Sequence, residues 1–177
     1  WGRRIMPELP EVEAFRRYID ATSLHKTIKK AKVKSPSIIQ GIPVGGLQTE
    51  LKGSRLLFTR RHGKHLFVRT NGGPWLALHF GMTGNLKYFK NLDRDPPHDR
   101  FLISFTNGFH LALDCQRKFC RIGLLRSVED FLAEKELGPD VLSLDFRTFE
   151  GLLGRRGGAI KCILMNQHLM AGIGNIY

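Results

Sequence analysis

A β-hairpin signal in the middle of the chain most constrains the fold. Residues 101–105 and 109–114 are short apolar runs separated by Thr106-Asn107-Gly108. Asn and Gly both tolerate the positive φ angles that tight hairpin turns require. Further short, β-rich segments precede this pair, at residues 27–34, 56–58, 65–69, 75–80 and 86–89. Strands at such regular spacing predict an antiparallel sandwich or barrel.

Helical patterns stand on both sides of the β-rich region. Residues 10–20 predict a leading helix, because Pro10 suits a first helical turn and the apolar residues that follow recur at helical spacing. After residue 126, Ser127 and Asp145 are candidate N-caps of two helices. A third helix is predicted at about residues 159–170, and residues 59–64 are predicted to form a basic loop. The sequence therefore divides near residue 126.

The charge balance indicates a polyanionic partner. The 177 residues include 28 Lys and Arg but only 16 Asp and Glu, which leaves a net charge of +12. Basic side chains that neutralise phosphates release condensed counterions and so gain affinity for nucleic acid. A basic but uninvolved surface and a ribosome-type structural role are the alternatives. An RNA-binding protein remains open on charge alone, although none of the usual RNA-binding motifs is present.

The cysteines and the hydropathy pattern favour a reducing, cytoplasmic compartment. Cys115, Cys120 and Cys162 are odd in number and form no C-x-x-C pair, so neither a disulfide framework nor a complete zinc site is expected among them. No apolar run approaches transmembrane length, and the N-terminus lacks a signal-peptide core. We expect an intracellular, nucleoid-associated protein that has no membrane partner.

Four segments, read in chain order, carry a specific resemblance. They are Met6-Pro7-Glu8-Leu9-Pro10-Glu11-Val12-Glu13, the loop ending in Gly63-Lys64, His79-Phe80-Gly81-Met82-Thr83-Gly84, and Gly172-Ile173-Gly174-Asn175-Ile176-Tyr177. With them, the chain resembles the formamidopyrimidine-DNA glycosylase and endonuclease VIII family over residues 6–177. The resemblance implies an α+β chain: an antiparallel β-sandwich with a leading helix, followed by an incomplete helix-two-turns-helix domain. Residues 1–6 would be an upstream extension and start Met, 7–126 the catalytic sandwich and 127–177 the truncated helical domain.

The resemblance implies three catalytic residues, and their chemistry fits the task. Base removal requires a nucleophile that captures the sugar C1′, and a terminal secondary amine can do so as a Schiff base. An α-amino group has a pKa of about 8, against about 10.4 for a lysine, so more of it is neutral at pH 7. Pro7 would be this nucleophile, provided that it is the mature N-terminus. Glu8 would be the acid–base residue and Lys64 a proton donor.

The DNA-binding residues are also implied by the resemblance. Rotating a damaged nucleotide out of the duplex leaves a gap that intruding side chains fill. Met82, Arg117 and Phe119 would enter this gap. The phosphate contacts would be His98, Arg156, Lys161 and Asn175. The expected partner is damaged double-stranded DNA, bound by a monomer.

Three features depart from the family pattern. Residues 1–5 precede Met6, and a Pro7 inside the chain has no nucleophilic amine. The family segment Asp-Pro-Arg-Arg-Phe-Gly is replaced by Asp114-Cys115-Gln116-Arg117-Lys118-Phe119-Cys120, which has one extra residue and lacks the Pro and the Gly. No cofactor is expected within these residues. The family's zinc finger is expected in the full-length protein, downstream of Tyr177.

Two classes of function therefore remain open. The first is a glycosylase and abasic-site lyase for oxidised purines such as 8-oxoguanine and formamidopyrimidines, a branch that Leu9 favours over the oxidised-pyrimidine branch. The second is a non-catalytic binder of damaged DNA on the same scaffold, which the upstream extension and the absent zinc finger motivate.

Overall fold

A computed structural model describes residues 6–154 and 157–176 and contains two antiparallel sheets flanked by helices. The elements, in chain order, are α1 (Leu9–Thr22), β1 (Ile28–Val33), α2 (Val44–Leu51), β2 (Leu56–His62), β3 (His65–Thr70), β4 (Trp75–His79), β5 (Gly84–Phe89), β6 (Asp99–Phe105), β7 (His110–Cys115), β8 (Arg121–Leu125), α3 (Val128–Glu134), α4 (Phe146–Leu153) and α5 (Ile160–Met165).

Each sheet has four strands, in the orders β1-β6-β7-β5 and β2-β3-β4-β8. Their inward-facing side chains share one apolar cluster, to which α1 contributes the fully buried Val12 and Ile19. Burying the apolar stripe of α1 against the strands fixes the helix across the sandwich, because that area is removed from water. The predicted α+β fold, with two antiparallel sheets and a leading helix, is confirmed.

The predicted hairpin forms between β6 and β7. The Phe105 amide donates to the Phe109 carbonyl at 2.9 Å, and Gly108 takes the positive φ of 83°. Asn107 contributes differently from the prediction: it does not have a positive φ, and its side chain accepts a hydrogen bond from the Phe109 amide. The turn therefore uses one left-handed residue, and the Asn acts through its side chain.

The basic loop predicted at residues 59–64 is mostly strand. β2 continues to His62, which pairs with His65, so that only Gly63 and Lys64 form the turn. Gly63 has a φ of 54°, a value that favours glycine. The prediction was wrong because cross-strand pairing extends through the basic residues. The tight turn holds Lys64 between two paired strands.

The sequence analysis missed two elements and overextended a third. The missed helix α2 contains two glycines and no strong cap, but it buries Leu47 and Leu51. The missed strand β8 is a short run that pairs with β4. The third predicted helix, residues 159–170, ends as α5 at Met165, where the Asn166 side chain accepts from the His168 amide and starts a turn.

The two predicted N-caps are present. The Ser127 hydroxyl accepts from the Asp130 amide at 3.1 Å, and the Asp145 carboxylate accepts from the Thr148 amide at 2.7 Å. The division of the chain near residue 126 stays a prediction. No helix within the described ranges is long and apolar enough to cross a membrane.

Candidate active site

The Glu8 carboxylate is the centre of the site. Glu8 precedes α1 and is fully buried, and its backbone amide donates to Glu11 Oε2 at 2.9 Å. Its Oε1 accepts from the amide of Asn175 at 2.8 Å, while the Ile176 amide lies 3.3 Å from Oε2 and 3.4 Å from Oε1. Two sequence motifs at opposite ends of the chain thus meet at one carboxylate.

The glycines of the C-terminal motif make this approach sterically feasible. A Cβ atom on Gly174 would lie 2.2 Å from Glu8 Cδ, and one on Gly172 would lie 2.5 Å from Leu9 Cδ1. Gly172 also has a φ of 129°. Gln167 holds the same segment, since its Nε2 donates to the Ile173 carbonyl at 2.8 Å and its Oε1 accepts from the Gly172 amide at 3.0 Å. The segment therefore wraps closely around the carboxylate.

Pro7 and Lys64 lie near this carboxylate in different ways. Pro7 is buried and directly precedes Glu8 in the chain. Lys64 is partly buried in the β2–β3 turn. Burial lowers the pKa of the Lys64 ammonium, and the nearby negative charge of Glu8 partly opposes this effect. A lysine with a lowered pKa releases its proton more readily than an exposed one.

Asp140, which the sequence analysis did not select, fixes the Lys64 turn. Its carboxylate accepts from the Gly63 amide at 2.7 Å and from both terminal nitrogens of Arg61, at 2.5 and 3.2 Å. The Arg61 and Asp140 side chains are only 9% and 12% exposed, and Arg61 Nε also lies 3.4 Å from Glu13 Oε2. This network joins α1, the β2–β3 turn and the segment that follows α3.

The charge on Asp140 is stabilised within this network. Burial raises the pKa of its carboxyl group, but hydrogen bonds from Arg61 and from the Gly63 and Leu142 amides outweigh burial, and the net pKa is lowered. No local pattern could have identified Asp140, because a Gly-Pro-Asp sequence is typical of a turn. Its role depends on a partner far away in the chain.

Met82, Arg117 and Phe119 form an exposed cluster on two adjacent turns. Met82 is 39% exposed and Phe119 is 45% exposed. A Cβ on Gly81 would lie 2.5 Å from the Phe119 carbonyl oxygen, so the turns are in direct contact. The Arg117 amide lies 3.2 Å from Thr83 Oγ1. The guanidinium carbon of Arg117 is 5.1 Å from the centre of the Phe119 ring. The extra residue in this segment does not separate the turn that carries Arg117 and Phe119 from the turn that carries Met82.

The four predicted phosphate-binding residues do not form one group in the described part of the chain. His98 lies at the base of the Arg117 turn, because its amide donates to Asp114 Oδ1 and its carbonyl accepts from the Cys115 amide, both at 2.9 Å. Asn175 is exposed beside Glu8, and Lys161 is exposed in α5. Within the described part of the chain, no hydrogen bond or ion pair joins Lys161 to the others. Arg156 lies outside the described residues.

Metal binding was expected only downstream of Tyr177. Within residues 6–154 and 157–176, no group of three or more His, Cys, Asp or Glu side chains could hold a metal ion. The groups that lie close together at the site are the Glu8 carboxylate, the Lys64 ammonium and the backbone amides of residues 175 and 176.

Comparison with known proteins identifies relatives across nearly the whole chain. The sequence-family model of the formamidopyrimidine-DNA glycosylase N-terminal domain matches residues 6–122. The formamidopyrimidine-DNA glycosylase of Chloroflexus aggregans is 35% identical over 97% of this chain, and that of Arabidopsis thaliana is 31% identical over 96%. A solved structure of the Lactococcus lactis enzyme, non-covalently bound to DNA that contains an abasic site, superposes with a TM-score of 0.86 at 28% identity, covering 96% of this chain.

The match covers only part of these relatives. The chain spans 63% of the Chloroflexus protein, 48% of the Arabidopsis protein and 66% of the Lactococcus chain. The family model nevertheless covers well over half of the chain, and the solved structure shares its fold. The chain belongs to the formamidopyrimidine-DNA glycosylase family.

Proposed function

We propose that this chain provides the catalytic part of a base-excision DNA glycosylase that removes oxidised purines through a Schiff base at Pro7 and then cleaves the backbone. One observation carries the proposal. The carboxylate beside Pro7 is buried and accepts hydrogen bonds from the amides of Asn175 and Ile176, so the two most specific family motifs meet at one acid. A buried carboxylate held by backbone amides is typical of a positioned catalytic group.

The proposed reaction begins at the amine of Pro7. Its nitrogen forms a bond to C1′, the bond from C1′ to the base breaks, and the base leaves with a proton. Glu8, adjacent to Pro7, protonates the opening sugar or relays the proton. Loss of a proton from C2′ of the iminium then permits β-elimination of the 3′ phosphate, and a second elimination expels the 5′ phosphate. Water then hydrolyses the iminium, which releases the sugar remnant and restores the Pro7 amine. Lys64, with its lowered pKa, donates a proton during cleavage.

The proposed DNA contacts use the exposed cluster and the basic surface. Met82 and Phe119 are exposed apolar side chains on adjacent turns, as side chains that fill an emptied base stack must be. Arg117 lies beside them and would hydrogen-bond the unpaired partner base. His98, Arg156, Lys161 and Asn175 would bind phosphates. The partner would be damaged double-stranded DNA, bound by a monomer. Binding would take place in the cytoplasm or nucleoid, where the chromosome lies.

Relatives support this substrate class and leave one alternative. A solved Lactococcus lactis enzyme, at 29% identity and a TM-score of 0.86, is bound to DNA that contains an N7-benzyl formamidopyrimidine. Another structure of the same enzyme holds an oxidised pyrimidine. We therefore place oxidised purines first and oxidised pyrimidines second.

A base-release assay tests the proposal. The chain would be prepared with Pro7 as its first residue and incubated with duplexes carrying 8-oxoguanine, an oxidised pyrimidine or an undamaged base. We expect base release and strand cleavage on 8-oxoguanine, loss of both when residues 1–6 are retained, and strong loss with Glu8→Gln. Specific lesion binding without base release by any form would instead support the non-catalytic binder. Preferential release of the pyrimidine would support the alternative substrate.

A further inference from the structure

Two buried cysteines lie beneath the exposed turn of residues 116–119. Cys115 is the last residue of β7, and Cys120 directly precedes β8. The chain reverses between them, with the Lys118 amide 3.4 Å from the Cys115 carbonyl and a positive φ of 56° at Lys118. Both cysteines are fully buried, are not joined by a disulfide, and have thiols close enough to hydrogen-bond to each other.

The surroundings of the two sulfur atoms make them chemically different. Hydrogen bonding from the Cys120 thiol lowers the pKa of the Cys115 thiol against the opposing effect of burial, and further donors are the Cys120 amide, the Thr83 hydroxyl and the Phe119 amide. The Thr83 oxygen lies 3.9 Å from Cys115 Sγ. The same pairing, followed by burial, raises the pKa of Cys120. Cys115 is therefore the nucleophile of the pair, because the thiolate is the reactive form.

We propose that Cys115 and Cys120 are a peroxide-sensitive dithiol that closes into a reversible disulfide beneath the 116–119 turn. The Cys115 thiolate attacks hydrogen peroxide, an S–O bond forms, the O–O bond breaks, and hydroxide leaves and takes up a proton as water. The Cys120 sulfur then attacks the sulfenic acid, the S–S bond forms, the S–O bond breaks, and a second water leaves. Two electrons pass from the thiols to peroxide, and two protons are accounted for in the water.

The pair lies below an exposed turn that carries two of the proposed DNA contacts, Arg117 and Phe119. Residues 116–119 are all exposed, so the sulfurs lie one layer below the surface and a molecule as small as peroxide reaches them when the turn opens. A disulfide would close a six-residue ring around Arg117 and Phe119. That this disulfide would alter the DNA contacts of Arg117 and Phe119 rests on the proposed function. The formation of the disulfide itself does not depend on it.

Trypsin gives a direct test, because it cleaves after Arg117 and Lys118, between the two cysteines. The chain carrying Cys162→Ser, which removes the exposed thiol and its intermolecular bridges, would be treated with hydrogen peroxide, alkylated and digested. We expect residues 101–117 and 119–121 to be recovered as one disulfide-linked peptide in most molecules. Dithiothreitol should separate the two parts.

A matched variant distinguishes the order of events. With Cys120→Ser, we expect the linked peptide to be lost and Cys115 to be trapped by dimedone as a sulfenic acid. Cys115→Ser should leave Cys120 unreacted. Oxidation of Cys115 to sulfenic or sulfinic acid without a linked peptide in the chain that retains both cysteines would overturn the proposal. So would two reduced cysteines at a peroxide dose that oxidises Cys162 in the unsubstituted chain.

Discussion

The substitution Gly174→Ala tests the packing of the site most sharply. The added Cβ would lie 2.2 Å from both Cδ and Oε1 of Glu8, whereas a relaxed contact requires about 3.5 Å, so the segment and the carboxylate must separate by about 1.3 Å. The hydrogen bond from Asn175 would then lengthen from 2.8 Å to about 4 Å, beyond the bonding range. A hydrogen bond to a charged group contributes about 1.5–3 kcal/mol, and we expect a loss of about 2–3 kcal/mol in the free energy of unfolding.

Urea unfolding and base release together measure this effect. Gly151→Ala in α4 is the matched control, because a Cβ there meets nothing within 4 Å and alanine favours a helix by up to about 1 kcal/mol. We expect the control to retain activity and to be equally or slightly more stable. Gly174→Ala should be destabilised and release base much more slowly. An unchanged unfolding midpoint together with unchanged base release would refute the close packing described for Glu8.

Three further predictions concern other parts of the site. Asp140→Asn should lower the free energy of unfolding by about 2–4 kcal/mol in urea titrations, because it leaves the buried Arg61 poorly paired. Asp140→Glu should partly restore the stability. Equal urea midpoints for the parent chain and Asp140→Asn would contradict this. The pKa of His65 is lowered to about 3, mainly by burial. Between pH 6.5 and 3 the unfolded chain therefore binds one more proton at this residue than the folded chain does. The free energy of unfolding should fall by up to about 2 kcal/mol from pH 6.5 to 5. His65→Gln should flatten that slope, and an unchanged slope would assign it to other groups. Met82→Ala and Phe119→Ala should each weaken binding to a duplex with an abasic-site analogue by about tenfold in anisotropy titrations. Both side chains are exposed, so each variant should keep its free energy of unfolding within about 0.5 kcal/mol of the parent chain. Unchanged affinity would remove them from the interface.

Local signals predicted most of the elements correctly. The Gly108 turn between apolar runs and the caps at Ser127 and Asp145 each depend on residues within a few positions of one another, so the sequence displays them directly. The candidate catalytic residues were selected by resemblance, because the family motifs are specific, and their roles stay a prediction. Two of these motifs meet at Glu8 because the fold brings the two ends of the chain together. A single sequence indicates that fold only through its resemblance to a family.

The missed features depend on distant parts of the chain. α2 contains two glycines, and its helical state is favoured by burial of Leu47 and Leu51 against the sandwich. Tertiary packing here outweighs local propensity. Asp140 is similar, because its partner Arg61 is 79 positions away. A two-residue turn such as Gly63-Lys64 also depends on how far the flanking strands stay paired, which composition alone does not specify.

Identification of the residue that captures the sugar tests the central claim most directly. The chain beginning at Pro7 would be incubated with an 8-oxoguanine duplex in the presence of borohydride, which reduces a Schiff base to a stable adduct, and the adduct would be digested with trypsin. We predict that the DNA is attached to the peptide of residues 7–16, at the nitrogen of Pro7. An adduct on Lys64, or base release with no adduct on the N-terminal peptide, would contradict the account.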